Sequence, residues 1–193
     1  GFDTHRLLDF LLDGLEDAVA AERIIEVSPE PAAFIERLVS FHQARGEYAA
    51  ALRWLERLVD SVEDDVSKVT YRHRYVDLAL GEAVRPQDAE RCVLASNLDP
   101  SLTEKFIAWY LEREEFGPAL RWTEQLALAA REETNNPWLR RMFDLALGEA
   151  DDMPAAQRAI GLAQSPNVMM ERLVAHLLEN FEFAEALRWY EEL

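Results

Sequence analysis

Six charged residues recur at matching places along this chain, and their signs alternate without exception. Each stands fifteen residues before a recurring alanine; they are Arg6, Glu36, Arg74, Glu104, Arg141 and Glu171. Guanidinium and carboxylate groups in such a series can pair with one another, or they can bind the charged and polar groups of a polypeptide partner. Tyr71 and Trp138 stand three residues before two of the arginines, and aromatic and arginine side chains often anchor protein interfaces. These eight residues are the predicted partner-binding residues.

Aspartates offer the same arginines a competing partner. In three places the arginine of the series is followed three residues later by an aspartate, giving the pairs Arg6–Asp9, Arg74–Asp77 and Arg141–Asp144. Residues three apart lie on one face of a helix, so such a pair can form locally. It would occupy the guanidinium that a neighbouring glutamate or a partner could otherwise use.

The recurring alanines belong to an internal repeat. The phrase Ala-Leu-Arg-Trp begins at residues 51, 119 and 186, and Asp-Leu-Ala-Leu-Gly-Glu-Ala begins at residues 77 and 144. A weaker copy of the first phrase lies within each long period, which makes six equivalent alanines: Ala21, Ala51, Ala89, Ala119, Ala156 and Ala186. Self-similarity at a fixed spacing is typical of proteins built from stacked structural repeats.

Helices must position these residues. Apolar side chains recur with a period near 3.6 residues in every segment, and no segment shows the alternation of a strand. Turn signals between the segments, such as Gly46-Glu47 and Asn97-Leu98-Asp99-Pro100, divide the chain into twelve helices. The prediction is an all-α fold, an α-solenoid of about six antiparallel helical hairpins that forms one helical-repeat domain over residues 1–193.

Composition limits the classes of partner. The chain of 193 residues carries a formal net charge of −17, which disfavours binding to nucleic acid phosphates and to anionic membrane surfaces. No apolar run approaches the length of a membrane-spanning helix. The single cysteine, Cys92, excludes an internal disulfide and fits a reducing compartment. We therefore expect a cytoplasmic protein that binds neither nucleic acid nor membranes.

The repeat resembles the tetratricopeptide repeat, a helical hairpin of about 34 residues with a small residue in its second helix. Thirteen residues before each alanine the chain has the apolar residues Leu8, Leu38, Val76, Phe106, Phe143 and Leu173. They match a core position of the first helix in that family. A second column departs from the family, because the small residue expected twelve before the alanine is replaced by Asp9, Val39, Asp77, Ile107, Asp144 and Val174. Larger groups there are expected to spread or rotate the helices of a hairpin.

This resemblance implies a right-handed superhelix whose first helices line a concave surface, and it implies a protein-interaction scaffold. The alternating charged series would then face the concave surface, with its members about 10 Å apart. Two interpretations of the series stay open. It forms a ladder of salt bridges between neighbouring first helices, or it binds a peptide or a partner helix.

Residue patterns for catalysis are weak. The four histidines lack the spacing of metal ligands, and no glycine-rich phosphate loop or nucleophile motif is present. We expect no enzyme activity, no cofactor and no metal. The leading hypothesis is a non-catalytic scaffold that binds a protein or peptide. The alternative is a structural or regulatory module that contacts a catalytic or sensor domain of the same, longer chain.

The last helix of the repeat has an apolar face with no partner in sequence. Trp189, Tyr190 and Leu193 lie on it, and no further hairpin follows. We expect this helix to fray or to associate with a second copy of the chain. The abrupt apolar end also indicates a segment of a longer protein, since repeat arrays usually end in a polar capping unit.

Overall fold

The computed structural model describes residues 4–28, 31–132 and 136–193. Within those ranges all regular secondary structure is helical, which confirms the all-α prediction. None of the helices described there is both long enough and apolar enough to cross a membrane.

The chain divides into two compact units, Gly1–Asn97 and Leu98–Leu193, and each contains three pairs of consecutive helices. The first unit holds α1 (Thr4–Asp9), a π-helical turn (Phe10–Gly14), α2 (Ala18–Glu26), α3 (Pro31–Ala44), α4 (Tyr48–Ser61), α5 (Asp65–Leu80) and α6 (Pro86–Ala95). The second holds α7 (Pro100–Leu111), α8 (Phe116–Ala129), α9 (Pro137–Leu147), α10 (Met153–Leu162), α11 (Asn167–Glu179) and α12 (Phe183–Glu192).

Acidic and amide side chains set several helix starts. The carboxylate of Asp64 accepts a hydrogen bond of 2.7 Å from the backbone N–H of Ser67 at the start of α5. This hydrogen bond lowers the pKa of Asp64. Asp17, Asp99, Asn136 and Asp152 cap α2, α7, α9 and α10 in the same way. A capping side chain satisfies a backbone N–H that has no partner within the helix. Part of the acidic surplus of the chain therefore has a structural role.

Two kinds of turn alternate along the chain. In the second, fourth and sixth hairpins, three or four residues join the helices, and one of them has a left-handed backbone: Gly46 (φ 71°), Glu114 (φ 58°) and Phe181 (φ 63°). The third and fifth hairpins use five residues and place Val84 and Asp151 in that conformation instead. The longer turns contribute to the alternation of short and long spacing between the alanines.

Each hairpin packs on the next within its unit. In the first unit α3 contacts α4, α4 contacts α5 and α5 contacts α6; in the second, α8 contacts α7 and α9, and α9 also contacts α10 and α11. The turns are short, so consecutive helices run antiparallel. Within each unit, successive hairpins are therefore in contact.

The six alanines are buried, with exposed fractions of 0 to 2%. Their prediction as core residues is confirmed. The apolar column thirteen residues earlier is also buried, at 0 to 1%. In the second unit Ala119, Ala156 and Ala186 share one core cluster with Phe143 and Leu173 of the first helices. The small side chain thus lies where the second helix approaches the first.

The column that departs from the tetratricopeptide pattern takes two different positions. Val39, Ile107 and Val174 of the even-numbered hairpins are buried at 0 to 9%, whereas Asp9, Asp77 and Asp144 of the odd-numbered hairpins are exposed. The carboxylates therefore do not enter the interface between the two helices. Only the even-numbered hairpins accommodate a larger apolar group there.

We expect Ala119→Leu to destabilise the chain by ~1–3 kcal/mol, because the added carbons have no room beside α7 and α9. The matched control is Ala129→Leu, which adds the same atoms at an exposed position of the same helix. Chemical denaturation followed by circular dichroism measures both changes. Equal stabilities for the two variants would show that the alanine contact is not tightly packed.

Candidate partner-binding surfaces

Arg74 lies beside a cavity on the first-helix face of the first unit. The cavity has a volume of about 480 Å³ and is bordered by Gln43 of α3 and by Thr70, Arg74 and Asp77 of α5. Arg74 Nη2 donates a hydrogen bond of 2.9 Å to the neutral side-chain oxygen of Gln43. Among the described residues no ion pair joins Arg74 to Glu36, although the alternating series predicts one.

Glu36 is engaged by an aromatic residue instead. The hydroxyl of Tyr71 donates a hydrogen bond to the Glu36 carboxylate, and this bond raises the pKa of Tyr71. Both side chains are half-buried, on α3 and α5. The structure thus brings two of the predicted binding residues, Glu36 and Tyr71, together. Arg74 binds Gln43 instead. The remaining member of the series in this unit, Arg6, lies exposed on α1.

Three predicted residues meet in the second unit. Arg141 Nη1 lies 3.4 Å from Glu104 Oε1, which joins α9 to α7. The Arg141 guanidinium carbon is also 5.9 Å from the centre of the Trp138 ring, within the range of a cation–π contact. Glu171 is exposed on α11, and no ion pair between it and Arg141 is found among the described residues. The predicted ladder is therefore not continuous in either unit.

A different set of ion pairs joins neighbouring hairpins, and the sequence reasoning missed it. Arg37 donates to Asp9 at 3.1 Å and to Asp13 at 2.5 Å, and these bonds, the one to Asp13 first, raise the pKa of Arg37. In the second unit Arg172 donates to Asp144 in the equivalent way. Asp144 therefore pairs with the next hairpin rather than with Arg141 three residues before it.

A sequence signal for these pairs was present. The partners of the aspartates stand fourteen residues before the alanine of an even-numbered hairpin, and that column is basic throughout: Arg37, Lys105 and Arg172. An acidic column in odd hairpins and a basic column in even hairpins, two positions apart, predict a pair between adjacent first helices.

The second helices also pair across hairpins. Arg53 of α4 and Arg158 of α10 each lie 2.9 Å from a carboxylate of a neighbouring second helix, Glu22 and Glu124 respectively. Glu22 in addition accepts the indole N–H of the buried Trp54 at 3.0 Å. The Glu22 carboxylate thus binds an exposed arginine and a buried tryptophan at the same junction.

A second cavity, about 450 Å³ in volume, lies in the second unit where α9 and α11 begin. Its apolar border includes Leu162, Val168 and Met169, and Arg140 and Arg172 lie at its edge. These residues belong to none of the columns that the sequence reasoning singled out. Of the two arginines, Arg172 is paired with Asp144.

Among the described residues, no group of three or more His, Cys, Asp or Glu side chains is arranged to hold a metal ion. Cys92 borders a small cavity of about 130 Å³ together with Arg72 and Tyr75. Burial raises the pKa of the Cys92 thiol to about 11. The thiol is therefore protonated at neutral pH, as expected for a packed residue.

Comparison with known proteins identifies no relative. No protein-family model, no curated protein sequence and no solved structure matches the chain.

The raised pKa predicts slow alkylation of Cys92. With a pKa of about 11 only ~0.1% of the thiol is ionised at pH 8, whereas an unfolded cysteine with a pKa near 8.5 is ionised to about a quarter. We expect iodoacetamide to react at least ~100-fold faster with the chain in denaturant than with the folded chain. Mass spectrometry measures both rates.

The same pKa has a consequence for stability. The pKa of Cys92 is higher in the folded chain than in the unfolded chain. The contribution of Cys92 to the free energy of unfolding is therefore complete at a pH below the pKa of the unfolded cysteine, and it is lost as the pH rises towards 11. A Cys92→Ala variant is the control, since it lacks both the alkylation and this part of the pH dependence. Equal alkylation rates in the folded and the unfolded chain would contradict the burial of the thiol.

Proposed function

We propose that this chain is a non-catalytic protein–protein interaction scaffold of the cytoplasm. In this proposal the six hairpins form an α-solenoid that resembles a tetratricopeptide-repeat superhelix, and its first helices bind a peptide or a partner helix along a concave face. The observation that carries the proposal is the weak binding of the Arg74 and Arg141 guanidiniums within the chain. Both guanidiniums lie on first helices; Arg74 binds a neutral amide, and Arg141 contacts an exposed carboxylate at 3.4 Å.

The hydrogen-bonding capacity of these arginines supports the proposal. A guanidinium has five N–H donors. Arg74 uses one for the neutral Gln43 and borders a cavity large enough for several side-chain atoms. Arg141 makes a long contact of 3.4 Å to an exposed carboxylate. A ligand carboxylate or carbonyl can therefore bind either group while displacing a contact that contributes only ~0–1 kcal/mol.

The pattern of charge suggests the chemistry of the partner. In the second unit the series presents Glu104, Arg141 and Glu171 on successive first helices. Neighbouring helices are about 10 Å apart, which is about seven residues of a bound helix at 1.5 Å per residue. A matching partner helix carries basic, acidic and basic side chains at intervals of about one heptad. Trp138 lies beside Arg141, so it offers an apolar surface next to the acidic side chain of the partner helix.

A second candidate function follows from exposed apolar groups. On the last hairpin Phe181, Phe183 and Tyr190 are exposed at 78%, 60% and 66%. Apolar groups clustered at a surface favour contact with another folded surface. In this alternative the chain is a structural or regulatory module that packs against a catalytic or sensor domain of the same polypeptide.

Charge reversal on the first helices tests the leading proposal. Peptides are selected from a displayed random library on the immobilised chain, and their affinities are compared for the unaltered chain, Arg74→Glu and Arg141→Glu. We expect the selected peptides to bind one or both variants at least ~10-fold more weakly, a change of about 1.4 kcal/mol. Folding should be nearly unaffected, because exposed ion pairs contribute little.

The matched control is Arg121→Glu, which makes the same charge change at an exposed position of the second helix α8. A general effect of added negative charge would weaken binding to this variant equally. The proposal fails if no peptide is enriched, or if the enriched peptides bind all four proteins with one affinity.

A further inference from the structure

The cavity where α9 and α11 begin has the size and the apolar border of a small-molecule site. Its volume is about 450 Å³, and small-molecule sites typically measure ~300–1,000 Å³. Leu139 and Met169 border it, together with Leu162 and Val168, which are 43% and 61% exposed. Exposed apolar side chains around a concavity provide a surface that an apolar ligand group can cover.

The equivalent place in the first unit is filled by the chain itself. Equivalent alanines lie 135 residues apart, from 21 to 156 and from 51 to 186. By this spacing Met169 is equivalent to Phe34, and Arg140 is equivalent to His5. The rings of Phe34 and His5 are in contact, with their centres 4.7 Å apart, and Phe34 is only 7% exposed. The second unit therefore has an open apolar space at a place where the fold accepts an aromatic side chain.

The charge at the cavity comes from three arginines, Arg131, Arg140 and Arg172. Two of them are bound to carboxylates, since Arg172 pairs with Asp144 and Arg131 lies 3.1 Å from a carboxylate oxygen of Glu132. Arg140 differs, because no group in the described part of the chain forms a hydrogen bond or an ion pair with its exposed side chain. One guanidinium with five N–H donors is thus open to a ligand.

The start of α11 adds a further preference for an anion. Asn136 caps α9 by accepting the backbone N–H of Trp138 at 3.0 Å. No side chain caps α11 in this way. The first backbone N–H groups of a helix have no partner within it, and the positive end of the helix dipole favours a negative charge nearby.

We propose that this cavity binds a small monocarboxylic acid with an aromatic or aliphatic body. The apolar body lies against Val168 and Met169, in the space that the Phe34 ring fills in the first unit, and the carboxylate binds Arg140. The planar guanidinium matches the two oxygens of a carboxylate. A monoanion is favoured over a dianion, because one guanidinium alone is without a carboxylate partner and the chain carries a net charge of −17.

This site is separate from the proposed peptide-binding residues. Neither Arg74 nor Arg141 borders the cavity. Loss of one activity therefore has no bearing on the other.

A ligand series tests the class of compound. The full chain labelled with ¹⁵N is titrated with 3-phenylpropionate, and backbone amide shifts are followed by NMR. We expect saturable shifts confined to residues 162–172 and their neighbours on α9. The neutral 3-phenylpropionamide lacks the carboxylate, and propionate lacks the apolar body. Each should bind at least ~10-fold more weakly, because a charge-assisted hydrogen bond or the burial of a ring is lost.

Two variants test the location. Arg140→Gln removes the guanidinium from an exposed position, and we expect it to weaken 3-phenylpropionate binding at least ~10-fold. Met169→Phe restores the side chain of the first unit, fills the cavity and should abolish binding. The matched control is Arg121→Gln at an exposed position of α8 outside the cavity, and it should bind like the unaltered chain. Circular dichroism checks that all three variants fold.

Four results would overturn the proposal: no saturable shifts, equal affinity for the acid and its amide, undiminished binding by Arg140→Gln, or shifts centred on Arg74 or Arg141 instead. Undiminished binding by a folded Met169→Phe would likewise place the ligand outside the cavity. If Met169→Phe does not fold, the comparison of Arg140→Gln with Arg121→Gln decides the outcome by itself.

Discussion

The close approach of two helices at a buried alanine is the contact on which the rest of this structure depends. Six times the second helix of a hairpin carries an alanine that is only 0 to 2% exposed. A small side chain lets two helices approach closely, and the apolar side chains of a hairpin then have neighbouring hairpins to pack against. Each hairpin therefore buries its core only by packing on the next, as the shared cluster of the second unit shows.

The alternation of two hairpin types follows from this dependence. Odd-numbered hairpins have an exposed aspartate where even-numbered ones have a buried aliphatic residue. The aspartates Asp9 and Asp144 bind an arginine on the following hairpin, Arg37 and Arg172. Exposed pairs of this kind contribute little energy, but they favour one register between neighbouring first helices. The long repeat of 67 or 68 residues is therefore a structural pair of hairpins.

Many of the charged side chains have a structural partner within the chain, and two arginines differ from them. Many carboxylates of this acidic chain serve as helix caps or as partners of arginines on the adjacent hairpin. Arg74 and Arg141 are different, because the first is bound to a neutral amide and the second to a carboxylate at long range. In the proposed scaffold it is these two first-helix arginines that bind another polypeptide. The proposal of a peptide-binding scaffold rests on this difference.

The amino-acid sequence by itself determined the helices, the hairpins and the buried alanines, because periodicity, capping residues and turn residues act over a few positions. It also placed Glu104 and Arg141 on adjacent helices of one unit, where they meet. Only the tertiary structure decided that Glu36 binds Tyr71 and that Arg74 binds Gln43. Exposed contacts between long polar side chains contribute only ~0–1 kcal/mol each, so a preference for one partner is weak. For Glu36 and Arg74 the packing of the hairpins therefore selects the partner, and spacing along the chain does not.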